Sequence, residues 1–147
     1  MVRKVYNDTD IIKCAKIIRN SFITVADNFG LTIKNAPTNP AFITDENLQK
    51  SIEKGLDLYL KYQDDEAVGC IGIQMSSSSK ETYYIERLSV LPKKRHLGIG
   101  KSLLDFAFDK INKKGGKEIS IGIINENEIL KEWYIKYGFI ECVKKSL

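Results

Sequence analysis

The sequence predicts a single mixed α/β fold, an α+β mixed sheet with element order β-α-α-β-β-β-α-β-α-β, and three observations carry that reading. Apolar residues recur at positions 99, 103, 104, 107, 108 and 111, the spacing of one helix face. Four β-rich runs, "LDLYLKY", "AVGCIGIQM", "ETYYIERLSV" and "EISIGII", are bounded by polar or glycine-rich stretches. The chain has 147 residues, 43% hydrophobic and 29% charged, enough to fill one core without disulfides or metal. Residues 1–147 are therefore expected to form one domain with no internal linker or repeat.

Taken in order, Val2–Tyr6 reads as a short first strand. Asp8 stands at an N-cap position ahead of Ile11, Cys14, Ala15, Ile18 and Phe22, which share a helix face. From Asn28 to Ala41 one glycine and two prolines mark a loop, followed by a helix over Asp45–Lys54 that Gly55 ends. The first two β-rich runs flank the polar "QDDE", a hairpin with a loop slightly longer than the minimum. Ser76–Ser79 form a short polar loop, and the third run is broken by Pro92. A helix over Ile99–Ile111 closes at Gly115-Gly116. The "EISIGII" strand, a helix over Glu126–Tyr137, a C-cap at Gly138 and a terminal strand "FIECV" complete the pattern.

A formal net charge of +4 suits an anionic ligand but is too small to imply a nucleic-acid partner. The N-terminus lacks an apolar signal core and no run of about 18 apolar residues occurs, so a cytoplasmic setting without a membrane partner is expected. Cys14, Cys70 and Cys142 are far apart with no C-x-x-C pair and read as small core residues in a reducing compartment. With His96 as the sole histidine and no clustered carboxylates, no metal site is expected.

The stretch "RHLGIGKSLL" is the most informative. Its Gly100-Lys101-Ser102 resembles the end of a nucleotide P-loop, but that loop needs glycine five residues before Gly100, where Arg95 stands. A dinucleotide fingerprint fails as well, because Leu103 occupies its third glycine position. What remains is a strand, a basic turn and a helix opened by Gly98-Ile99-Gly100. This order aims unpaired backbone N–H groups and the positive helix end at one spot. Lys93, Lys94, Arg95, His96 and Lys101 add positive potential there, so the physics alone points to a polyanion such as a pyrophosphate.

The pattern Val90-x-Pro92-x-x-Arg95-x-x-Gly98-Ile99-Gly100-x-x-Leu103-Leu104 resembles motif A of the GNAT (Gcn5-related) N-acetyltransferases. Downstream, Asn127, Trp133, Tyr134, Tyr137 and Gly138-Phe139 resemble the next helix and strand of the same family. The resemblance implies acetyl-CoA as acetyl donor, with Arg95, His96, Leu97, Gly98, Ile99, Gly100 and Lys101 cradling its pyrophosphate. It implies that Leu88, Ser89 and Val90 pair their backbone with the pantetheine arm where this strand splays from "EISIGII", and that Asn127 contacts that arm or the adjacent backbone. Tyr134 matches the tyrosine that protonates the departing thiolate, a sensible role because a phenol and a thiol have comparable pKa values; the alternative is an aromatic that only packs.

Attack on a thioester needs a neutral amine, and Glu86, the carboxylate in the central part of its strand, is the candidate base; an ion pair near Arg87 or a plain surface charge is the alternative. The mechanism requires no covalent step, so Cys70 reads as a buried residue in preference to an acyl-relay nucleophile. By resemblance the acceptor site is built by the first two helices and their connection, with Asn35, Asn39, Phe42 and Asp45 as candidate lining. Pro37 and Pro40 would stiffen that loop, which can equally be a connector, and Asp45 and Glu46 can equally cap the second helix. The activity implied is direct acetyl transfer to a primary amine, most simply that of a small molecule. A non-catalytic acyl-CoA-binding regulatory module and a protein N-terminal or lysine acetyltransferase are the alternatives, and a P-loop NTPase is disfavoured by Arg95. After Gly138-Phe139 the family makes two closing strands, whereas "FIECVKKSL" has room for one and a stub. Either a shortened sheet or a homodimer contact at the exposed edge is expected.

Overall fold

The computed structural model describes residues 1–37, 39–122 and 128–140. Its elements are β1 (Val2–Lys4), α1 (Asp8–Asn28), a 3₁₀ turn (Pro40–Phe42), α2 (Asp45–Glu53), β2 (Asp57–Gln63), β3 (Glu66–Met75), β4 (Thr82–Val90), a second 3₁₀ turn (Pro92–Lys94), α3 (Ile99–Lys113), β5 (Glu118–Ile121) and α4 (Glu128–Tyr137). The five strands form one mixed sheet in the order β1-β2-β3-β4-β5, antiparallel as far as β4 and parallel between β4 and β5. The expected terminal strand runs into residues 141–143, which lie outside those described. No helix among the described residues is long and apolar enough to cross a membrane.

Local chemistry explains where the elements begin, and in three places it corrects the expected boundary. Asn7, rather than Asp8, caps α1, its Oδ1 accepting the Asp10 N–H at 2.9 Å. Asp8 falls inside the first turn, where a carboxylate still favours the positive helix end. Thr44, rather than Asp45 or Glu46, caps α2: Thr44 Oγ1 accepts the Asn47 N–H at 3.0 Å and Asn47 Oδ1 accepts the Thr44 N–H at 3.3 Å, a reciprocal capping box. The β2–β3 hairpin has the minimal two-residue loop. Asp64 and Asp65 take φ of 50° and 65° between the paired Gln63 and Glu66, and that mirror-image turn matches strand twist.

Two cores lie on the two faces of the sheet. Ile11, Cys14, Ala15 and Ile18 of α1 join Leu48 of α2 over Leu58, Leu60 and Cys70. On the other face Ile99, Leu103, Leu104, Ala107 and Ile111 of α3 pack on Tyr59, Ile71, Ile73, Tyr83 and Ile85, so the apolar stripe foreseen for α3 is its buried face. Burying each such large side chain contributes roughly 1.5–3 kcal/mol. The strand carrying the site, β4, is thus held from both sides.

Candidate active site

Pairing between β4 and β5 runs from Thr82 with Glu118 to Ile85 with Ile121. Past Ile85 the positions that would continue β5 reach residues 123–127, so the splay expected there lies outside the described residues. On its other edge β4 is bulged. Cys70 pairs with Ser89 but Gly72 pairs with Glu86, so β4 carries one extra residue, and Arg87 takes φ of 55°. Tyr83 and Ile85 face the α3 core before the bulge, and Leu88 and Val90 face it after, so the bulge shifts the pleat by one residue. The Arg87 carbonyl accepts from Ser89 Oγ at 3.0 Å and Cys70 Sγ at 3.6 Å, which pins this geometry.

After Val90 the chain passes through Pro92–Lys94 into the turn that opens α3. His96 takes φ of 66° and Gly98 φ of 79°, and His96, Leu97 and Gly98 are exposed. Open space lies where a Gly98 Cβ would stand. No side chain caps α3, and its first backbone bond from this turn runs from the Ser102 N–H to Gly98 O at 3.0 Å. Among the described residues the N–H groups of His96 to Lys101 make no backbone hydrogen bond, so a row of donors converges at a positive helix end.

Arg95 is engaged inside the protein: its N–H bonds Pro92 O at 3.4 Å and its guanidinium donates to Ser21 O at 2.5 Å. Ser21 Oγ also accepts the Val90 N–H at 3.4 Å. One buried serine of α1 thereby ties down the end of β4 and the turn that follows it. Lys94 is drawn to Glu66 at 3.7 Å, while Lys93, His96 and Lys101 are exposed and form no ion pair among the described residues.

Helix α4 closes the site's other wall. The Trp133 ring lies 3.5 Å from where a Gly100 Cβ would stand, in van der Waals reach of the turn. Next to it Tyr134 is buried in the α3 core, edge-on to Trp133 and Phe139 with ring centroids 5.0 and 5.6 Å away. Burial pushes its phenol above the usual range, which favours the neutral, proton-bearing form. The turn and Tyr134 therefore belong to one neighbourhood.

The remaining candidates fall into three groups. Glu86 is partly exposed, with its carboxylate 4.0 Å from Arg87 Nη1. In the α1–α2 connection, Asn35 Oδ1 accepts the Thr32 N–H at 2.7 Å, Asn39 Oδ1 accepts the Ala41 N–H at 2.9 Å, and Asp45 is 3.6 Å from Arg19. Asn35 and Asn39 thereby shape the loop, Asp45 stands in the first turn of α2, and Phe42 is half-buried. Asn127 lies outside the described residues, as does Cys142. Cys14 and Cys70 are free and fully buried, and the hydrogen bond between them together with burial drives the Cys14 thiol far above its ordinary range. No group of residues suited to a metal ion occurs among the described residues.

Arg87 and Ser21 were not foreseen. The bulge did leave a trace, since the apolar alternation of Tyr83 and Ile85 resumes one residue out of step at Leu88 and Val90. Ser21 left only a polar residue beside the stripe of α1.

A mixed sheet whose fourth and fifth strands are parallel, the fourth feeding an uncapped helix through an open amide turn, defines the acyl-CoA N-acyltransferase fold. The chain belongs to the GNAT acetyltransferase family: the family described as acetyltransferase (GNAT) domain matches residues 31–146. Among solved structures, the PaiA N-acetyltransferase of Thermoplasma acidophilum in complex with coenzyme A superposes with a TM-score of 0.79 at 20% identity, over 95% of this chain and 89% of that one. The AAC(6')-Iy complex with a CoA–acetylneamine bisubstrate analogue gives 0.71 at 18% identity, over 100% and 95%. The Escherichia coli ribosomal-protein alanine N-acetyltransferase gives 0.76 at 13% identity, over 97% and 79%. At such identities these three establish the shared fold.

Proposed function

We propose that this acetyltransferase moves an acetyl group from acetyl-CoA directly to the primary amine of a small molecule. The observation that carries the reading is the row of unpaired amides from His96 to Lys101 beside the buried, neutral Tyr134. The donor fits this chain's residues: Gly98 supplies the left-handed turn with nothing above it, and Lys93, His96 and Lys101 supply charge for phosphates. When bound, acetyl-CoA supplies an activated thioester. His96 to Lys101 hold its pyrophosphate through backbone N–H groups, and the Leu88–Val90 backbone lines the pantetheine arm together with Asn127. Arg95 acts at one remove, positioning the turn through Ser21.

Glu86 takes the proton that an ammonium must lose before attack. Tyr134 gives a proton to the departing sulfur, and its raised pKa keeps that proton in place at neutral pH. The acceptor is received between α1, α2 and the β4 bulge, near Asn35, Asn39, Phe42 and Asp45. Support for a small amine comes from the aminoglycoside enzyme among the similar structures. The free, buried Cys14 and Cys70 suit the cytoplasm, and a homodimer at the sheet edge beyond β5 belongs to the same reading.

The test is release of free CoA thiol over a panel of polyamines, aminoglycosides, amino acids and N-terminal peptides, with Tyr134→Phe as control. Amine-dependent release by the wild type, reduced in the variant, is expected. Tight acetyl-CoA binding with no turnover on any amine would instead indicate a binding module.

A further inference from the structure

Arg87 is half-buried, and its Nε, shut off from solvent, is the buried side-chain polar atom that lacks a hydrogen-bond partner among the described residues. Nη2 reaches only Ser51 Oγ, at 3.5 Å, and Nη1 is 4.0 Å from the Glu86 carboxylate. A guanidinium has five N–H donors in a planar fork, and among the described residues the fork finds one marginal bond and one loose ion pair, its Nη groups partly open to solvent. Native proteins seldom leave such a group wanting, because an unpaired buried donor is costly.

The backbone that places it is also unfavourable. Among the described residues Arg87 is one of four non-glycine residues at positive φ, and two of the others, Asp64 and Asp65, are in a hairpin turn that requires it. Arg87 is instead fixed in mid-strand by the bonds that Cys70 and Ser89 make to its carbonyl. The bulge turns this side chain toward α2, between Glu86 and the Leu88–Val90 segment that ends β4.

From this arrangement we infer that Arg87 receives a carboxylate carried by the acceptor, which makes the substrate an amine with a carboxylate a few bonds away, as in a free amino acid. The inference rests on the acetyl-transfer reading above and narrows its substrate class. A planar, doubly accepting carboxylate matches a guanidinium fork with free donors. The neighbouring Glu86 offers the opposite charge to the ammonium end of the same molecule, so adjacent residues of one strand read both ends of a zwitterion. An arginine held this way discriminates sharply, because an acceptor lacking the carboxylate leaves the donors unpaired.

The experiment compares kcat/KM for matched acceptors: an amino acid, its carboxamide, and its decarboxylated amine, using wild type, Arg87→Gln and Arg87→Lys. The wild type should prefer the carboxylate-bearing member by about tenfold or more, the scale of one charge-assisted hydrogen bond. In Arg87→Gln the ratio should collapse toward one, chiefly through KM for the amino acid. Arg87→Lys, which keeps the charge and loses the fork, should fall between. Acetyl-CoA affinity measured by calorimetry should stay at the wild-type value in both variants. A wild type that binds acetyl-CoA and acetylates amines without preferring the carboxylate overturns this inference alone, as does a preference that survives Arg87→Gln. A wild type that binds no acetyl-CoA overturns the acetyl-transfer reading beneath it.

Discussion

Tyr134 gains its chemistry from where it is packed. Enclosed by Trp133, Phe139 and the α3 core, its phenol is easier to keep protonated than one in water, so it is suited to giving a proton late in a reaction and poor as a base. Tyr134→Phe should lower kcat by about 10²-fold with little change in KM for acetyl-CoA, checked by steady-state kinetics. The same burial sets a pH effect on stability. Below about pH 10 the phenol is protonated in both folded and unfolded chains and contributes no slope; above it the unfolded chain ionises while the folded one resists. Stability should therefore fall as pH rises beyond about 10, and Tyr134→Phe should lessen that slope, as urea titrations across pH 8–11 will measure. The pairing of Tyr134 with Phe139 was legible because their spacing is local in the chain. Arg87 and Ser21 were not, since their partners lie 36 and 74 residues away in Ser51 and Arg95.

At the scale of elements, the segment from β4 to α3 depends on two glycines for different reasons. Gly98 needs its left-handed φ of 79° and has open space above it. Gly98→Ala should cost about 1–2 kcal/mol of stability through backbone strain and should also weaken acetyl-CoA binding. Gly115, at φ of 87° with the same open space, provides the comparison: Gly115→Ala should cost a similar amount and leave acetyl-CoA affinity alone. Gly69 is needed for closeness, because a Cβ there would stand 2.9 Å from Ser89 O and 3.0 Å from Leu103 Cδ1. Gly69→Ala should destabilise by about 1–3 kcal/mol and displace the end of β4, lowering acetyl-CoA affinity as well. Denaturant melts with calorimetry on the same samples separate the two effects. Element types and order were readable from periodicity and turn residues. The caps were misplaced by one residue, since Asn7, Asp8, Thr44 and Asp45 are all competent cap residues and only the hydrogen bonds choose among them.

In the whole molecule, two helical layers grip one sheet, and the Arg95 side chain, in the turn that opens α3, reaches across to the Ser21 carbonyl of α1. Arg95→Ala should loosen that link, lowering acetyl-CoA affinity several-fold while leaving most of the fold intact, because the two cores do not depend on it. On the proposed reading affinity should also fall with added salt, since exposed Lys93, His96 and Lys101 would attract phosphates through a screened interaction. The most direct measurement is a titration of uniformly ¹⁵N-labelled protein with acetyl-CoA, following backbone amides by NMR. If the turn grips the pyrophosphate, the amides of His96 to Lys101 move together and saturate at one affinity, and Gly98→Ala weakens that affinity. Saturable binding that leaves those amides unmoved while others shift would contradict the account.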